Sequence, residues 1–108
     1  MSMELTETDF RNNSEAAIEA LKQHLYATEA DGNFEAEEQG GVLNVLFDEP
    51  AGKFVITANA PVRQIWISAL STSFKLDWVS TKNAFVLPKT GEGLIQLIDR
   101  LIEEHLGS

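Results

Sequence analysis

At 108 residues the chain has the size of one ordinary domain, and residues 1–108 are read as a single unit. With no cysteine it has no disulfide framework, no thiolate zinc site and no cysteine-ligated cluster of its own. A net charge of −9 argues against nucleic acid as a partner, because that binding rests on neutralising phosphates with Lys and Arg.

The charge is unevenly spread. Residues 1–49 carry 12 acids against 2 bases, whereas residues 50–108 carry 5 acids against 6 bases. Such polarity attracts cations and basic protein surfaces to the first half. No apolar run approaches the roughly 20 residues that cross a bilayer, so no membrane partner is expected. Met1 to Phe10 is acidic and has neither the basic start nor the apolar stretch of a signal peptide, so the expected location is the cytoplasm of a bacterium.

In chain order, the first element reads as a helix. Thr6 can cap it, with Glu7 and Asp9 in the first turn where the helix dipole favours negative charge. Phe10, Ala17, Leu21 and Leu25 recur at helical spacing, with Ser14 and Ile18 beside them, and Asp31-Gly32 ends the helix. Phe34–Glu38 and Val42–Phe47 read as a hairpin about Gly40-Gly41. Asp48 to Gly52 is the next turn, then Phe54–Thr57 a third strand, with Pro61 before a fourth at Gln64–Ser68. Ser71 to Ser73 reads as a turn, and Phe74–Val79 and Ala84–Leu87 as two more strands. Leu94, Leu97, Ile98, Leu101 and Ile102 form the stripe of a closing helix, which Leu106 extends. The expected fold is α+β: a two-layer sandwich with both helices on one face of a mainly antiparallel sheet of about six strands.

Most catalytic constellations are missing. His24 and His105 fall on helices away from any nucleophile motif and read as bystanders, and the glycine pairs lack phosphate-loop spacing. Carboxylates are the distinctive resource. Glu15 and Glu19 are four apart on the helix, Glu35 and Glu37 share one face of the first strand, and Glu38 is adjacent. With the helix beside the edge strand these acids form one ridge. Open, oxygen-only ligands suit hard cations weakly, and a merely solvated face is the plain alternative. If Ile65 and Ile67 face the helices, then Gln64, Trp66 and Ser68 face away, and Trp66 is expected to be largely exposed as a binding anchor. Trp78 has no such assignment and reads as structural.

The segment from Phe54 to Ser68, with Gln64-Ile65-Trp66-Ile67-Ser68 intact, resembles the central strands of the frataxin family. Gly41-Val42-Leu43 resembles the family's second strand, Asp77 stands where the family has an aspartate after an aromatic, and the element order agrees over nearly the whole chain. The length suits the bacterial, CyaY-like branch. The resemblance implies a helix–sheet–helix sandwich and an iron chaperone that binds Fe2+ or Fe3+ weakly on an acidic ridge. It also implies docking on a cysteine desulfurase and its iron–sulfur scaffold protein. Carried over by position, the metal-binding acids are Glu7, Asp9, Glu15, Glu19, Glu35 and Glu37, and the partner-facing residues are Gln64 and Trp66. A monomer is expected, with iron-dependent oligomers kept open.

The chain departs from the family in places. Lys22, Gln23, Tyr26 and Ala27 stand where the helix is usually acidic, which implies reduced iron capacity. Thr57-Ala58-Asn59-Ala60-Pro61 and Ser71-Thr72-Ser73 replace the family's two loops. Two other functions compete with a non-enzymatic iron donor or regulator of cluster assembly. One is a small acidic secretion-type chaperone, or interaction module without metal, which should dimerise through an apolar face. The other is a ferroxidase, although no buried Glu-x-x-His pair is present.

Overall fold

The computed structural model describes residues 5–32 and 34–107; the reading of the first residues, Met1 to Glu4, lies outside them. The elements are α1 (Glu7–Gly32), β1 (Phe34–Gln39), β2 (Val42–Asp48) and β3 (Ala51–Asn59). A 3-10 turn (Ala60–Val62) follows, then β4 (Gln64–Ala69), β5 (Thr72–Val79), β6 (Ala84–Val86) and α2 (Leu94–Gly107). The strands lie in chain order in one sheet, and every neighbouring pair is antiparallel.

Alternation sets the two faces of the sheet. Ala36, Leu43, Val45, Phe47, Phe54, Ile56, Ile65, Ile67 and Leu76 are buried and point to the helices. The stripe of α1 meets them with Phe10, Ile18, Leu21 and Leu25, and that of α2 with Leu94, Leu97, Ile98, Leu101 and Ile102. Each fully buried Leu, Ile or Phe contributes about 1.5–3 kcal/mol, so both helices are held by these stripes. Phe10 meets Phe85 edge-on at 5.8 Å, and Trp78 packs on Phe85 at 5.1 Å, which places it on the helix side. At the start of α1, the Asp9 amide donates to Thr6 Oγ1 at 3.0 Å, the expected cap.

Two turns are tighter than the sequence suggests. The third strand begins at Ala51, because the turn is only Glu49-Pro50, with a cis peptide bond, and Gly52 already pairs with Phe47. The hairpin after β4 turns at Leu70-Ser71, so β5 starts at Thr72 rather than after Ser73. Leu70 and Ser71 have φ of 53° and 60°, as a two-residue primed turn demands. Non-glycine residues there cost about 1–2 kcal/mol each, and neither residue advertises the turn. The first hairpin meets the same demand with Gly40 and Gly41 at φ 59° and 82°.

The histidines are structural. His24 Nε2 donates to both oxygens of Asp99, at 2.8 and 3.0 Å, and ties α1 to α2. The ring of His105 packs tilted against Phe47 at 4.3 Å between centroids, donates from Nε2 to the Pro50 carbonyl at 2.7 Å, and fills the space that Gly52 leaves open. A Cβ at Gly52 would stand 2.6 Å from His105 Cε1. Gly52→Ala should therefore cost about 1–3 kcal/mol by overpacking, and much less in a His105→Ala background. Urea unfolding of the four-member cycle checks this; an equal cost in both backgrounds would place the clash elsewhere.

Candidate functional site

With both helices on one side, the other sheet face is bare. Its out-of-core positions include Glu35 and Glu37 on β1, Asn44 on β2, Thr57 and Asn59 on β3, Gln64, Trp66 and Ser68 on β4, and Lys75 and Asp77 on β5. Trp66 faces away from the helices as its alternation requires. It is half-buried, however, and not largely exposed. Its indole N–H donates to Gln64 Oε1 at 2.8 Å, Gln64 Nε2 donates to Asp77 Oδ1 at 2.8 Å, and Lys75 Nζ lies 4.9 Å from the ring centroid. These neighbours tether the indole and cover part of it. Lys75 and Asp77 were not singled out for this role from the sequence; only the hairpin register at Leu70-Ser71 reveals that they stand beside Trp66.

The six acids expected on the ridge divide into two groups. Glu7, Glu15 and Glu19 line a groove of about 750 Å³ beside α1, together with Glu38 and over a floor of Phe10 and Ile18. Glu35 and Glu37 lie on the bare face, because Phe34 and Ala36 turn towards the core. Glu38 is thus the β1 acid that faces α1. Asp9 does not line the groove. Among the described residues no three carboxylate or histidine side chains converge closely enough to hold a metal ion. Among the described residues no cation pairs with Asp9, Glu15, Glu35 or Glu37.

Lys22 occupies the middle of the acidic edge. Its Nζ sits 2.8 Å from Glu19 Oε1 and 2.9 Å from Glu38 Oε1, spanning α1 and β1. Hydrogen bonds from Lys22, then Gln23, hold the Glu19 carboxyl below the usual carboxylate range, and those to Glu19 and Glu38 push the Lys22 ammonium above its own. From the middle of α2, Arg100 reaches back to Glu92, just before the helix, through Nε at 2.7 Å and a second nitrogen at 2.9 Å, which lowers the Glu92 carboxyl in the same way.

Two helices on one face of a six-strand antiparallel meander is the frataxin architecture. The chain belongs to that family: it matches the frataxin-like domain over residues 3–108. It falls in the bacterial, CyaY-like branch. Over 105 residues it is 30% identical to a Pseudomonas entomophila protein named iron–sulfur cluster assembly protein CyaY, with 97% of this chain and 93% of that one covered. A protein of the same name from Azotobacter vinelandii is 28% identical over 107 residues, with 97% and 93% covered. Frataxin from Psychromonas ingrahamii superposes with a TM-score of 0.78 over 94% of this chain and 91% of that one, at 15% identity, a likeness of fold.

The link from Lys22 to Glu19 has a defined pH window. The folded Glu19 value lies below the unfolded one, so its contribution is complete above roughly pH 4.3 and is lost as pH falls through the folded value. Lys22 mirrors this: its contribution is complete below roughly pH 10.4 and is lost as pH rises through its raised folded value. Carboxyl-detected NMR titration should give Glu19 a midpoint below that of an unstructured reference peptide, and Lys22→Met should move the midpoint up. An unmoved midpoint would remove Lys22 as the cause.

Proposed function

We propose that this protein serves iron–sulfur cluster assembly, carrying iron weakly on the acidic edge and docking on a cysteine desulfurase and its scaffold protein. The observation that carries the reading is the match, over 97% of the chain, to relatives whose name places them in cluster assembly. Two features of the molecule support it. Acids on α1 and β1 give one edge a strong negative potential, suited to a basic docking surface. The bare sheet face offers a fixed tryptophan, an anchor type common at interface hot spots.

Iron is cargo in this reading. Exposed carboxylates without a closed shell bind a hard cation weakly and release it readily, which suits a donor. Glu7 is engaged by Arg11 at 3.7 Å and Glu19 by Lys22, so Asp9, Glu15, Glu35 and Glu37 are the acids with least to give up. Titration with Fe(II), or with a lanthanide as a probe, should shift amide resonances of residues 7–19 and 35–38 first. Shifts confined to residues 50–107 would discard the acidic edge as the site.

Docking is tested by affinity capture of a cysteine desulfurase and its scaffold. Replacing Glu15, Glu19, Glu35 and Glu37 together by Gln should leave the fold intact, since all four are exposed, and should reduce capture most at low salt. Trp66→Ala should cost less than the about 3–5 kcal/mol of a core aromatic and weaken docking by about 2 kcal/mol or more. A large fall in melting temperature with unchanged capture would make Trp66 a packing residue instead.

A further inference from the structure

Two hydrogen bonds meet at Gln64 on the bare face, one across to β5 and one along β4: Gln64 Nε2 donates to Asp77 Oδ1, and Trp66 Nε1 donates to Gln64 Oε1, each 2.8 Å. Gln64 lies directly opposite Asp77 in the strand register and two residues before Trp66 on the same face. A glutamine amide fits its space equally well either way round, but turning it over exchanges acceptor for donor. Turned over, Gln64 would meet the indole N–H with its own –NH2, donor against donor. An indole nitrogen only donates, so nothing on Trp66 can adapt. Asp77 makes the same demand from the other end of the amide and so locks it. As a carboxylate it only accepts, so it takes the –NH2 end and leaves the carbonyl end of Gln64 facing Trp66. The charge on Asp77 strengthens the first bond and polarises the second.

We infer that Asp77 is a positioning residue: by fixing which end of the Gln64 amide meets the indole, it holds Trp66 in the orientation it presents to a partner. The inference rests on the reading of Trp66 as a partner contact. An anchor ordered before docking loses less rotamer freedom on binding, and so retains more of its contact energy. The arrangement also selects the partner's chemistry. The indole N–H is consumed inside the protein, so Trp66 offers ring surface and no hydrogen bond. The group that covers it packs on the ring and makes no hydrogen bond to the indole, so it is not an acceptor such as a carboxylate.

The test uses the indole N–H resonances of the full chain, which has two tryptophans; Trp66→Phe assigns the one from Trp66, and Trp78 reports on the fold. In Asp77→Ala the Trp66 indole N–H should exchange with solvent about tenfold faster and move upfield as its hydrogen bond weakens, with Trp78 unmoved. Capture of the desulfurase–scaffold pair should fall as well. Asp77→Asn should restore both signals, because its amide oxygen can accept from Gln64. Gln64→Leu, which removes the relay and keeps the bulk, should free the indole independently of Asp77. A Trp66 indole unchanged in Asp77→Ala would overturn the positioning role, whether or not Gln64→Leu frees it. An indole freed with capture undiminished would leave the hydrogen-bond logic standing and overturn Trp66 as the partner contact.

Discussion

Burying two helix stripes on the same side of one sheet is the constraint from which the rest follows. Neither α1 nor α2 can cover its apolar residues alone, and β2 to β5 offer one continuous apolar face. Once both helices lie there, the opposite face has no cover, and its polar residues are released from packing duty. That is why Gln64, Lys75 and Asp77 can be arranged around Trp66. The core sets where these side chains stand, and hydrogen bonds among them set how they point. His24 with Asp99 and His105 with the Pro50 carbonyl then fasten the helices at points where apolar contact alone leaves freedom to slide.

The acidic edge obeys a different balance. Carboxylates collected on α1 and β1 repel one another, and little basic charge is nearby to offset them. Lys22 relieves the sharpest crowding by joining Glu19 to Glu38 across the two elements. What is left is a negative field that extends into solvent, with Glu7, Glu15, Glu19 and Glu38 around the groove over Phe10 and Ile18. The same lysine makes the edge less accommodating to a metal ion, because an ammonium already sits between two of its carboxylates.

Much of this was legible from the residues. The stripes of both helices, the Gly40-Gly41 hairpin and the face of Ile65 and Ile67 all carry strong periodic signals, and the structure agrees with them. The site was less legible for local reasons. Leu70-Ser71 forms a primed turn without glycine or asparagine, so the register that brings Lys75 and Asp77 beside Trp66 had no marker. In β1 only Phe34 and Ala36 are apolar. Alternation therefore groups Glu35 with Glu37 but leaves open which way the pair points, and tertiary packing decides that Glu38 alone joins α1. The tryptophan was expected in the open because alternation reports direction and carries no information on neighbours lying flat over a ring.

A meander in chain order has two outer strands, and each leaves a row of backbone donors and acceptors unmatched. Here the two are protected by unlike means. β6 is three residues long and is partly closed by a bridge from Val86 to Gly93, so it offers little template. β1 is six residues long; its Ala36 amide already donates to Glu29 Oε2 of α1 at 3.0 Å, and charge guards the rest of the edge. The carboxylates of Glu35, Glu37 and Glu38 are therefore also a guard against edge-to-edge aggregation. Whatever neutralises them, whether acid, a bound cation or an amide substitution, removes the electrostatic barrier to a second sheet adding itself to the first.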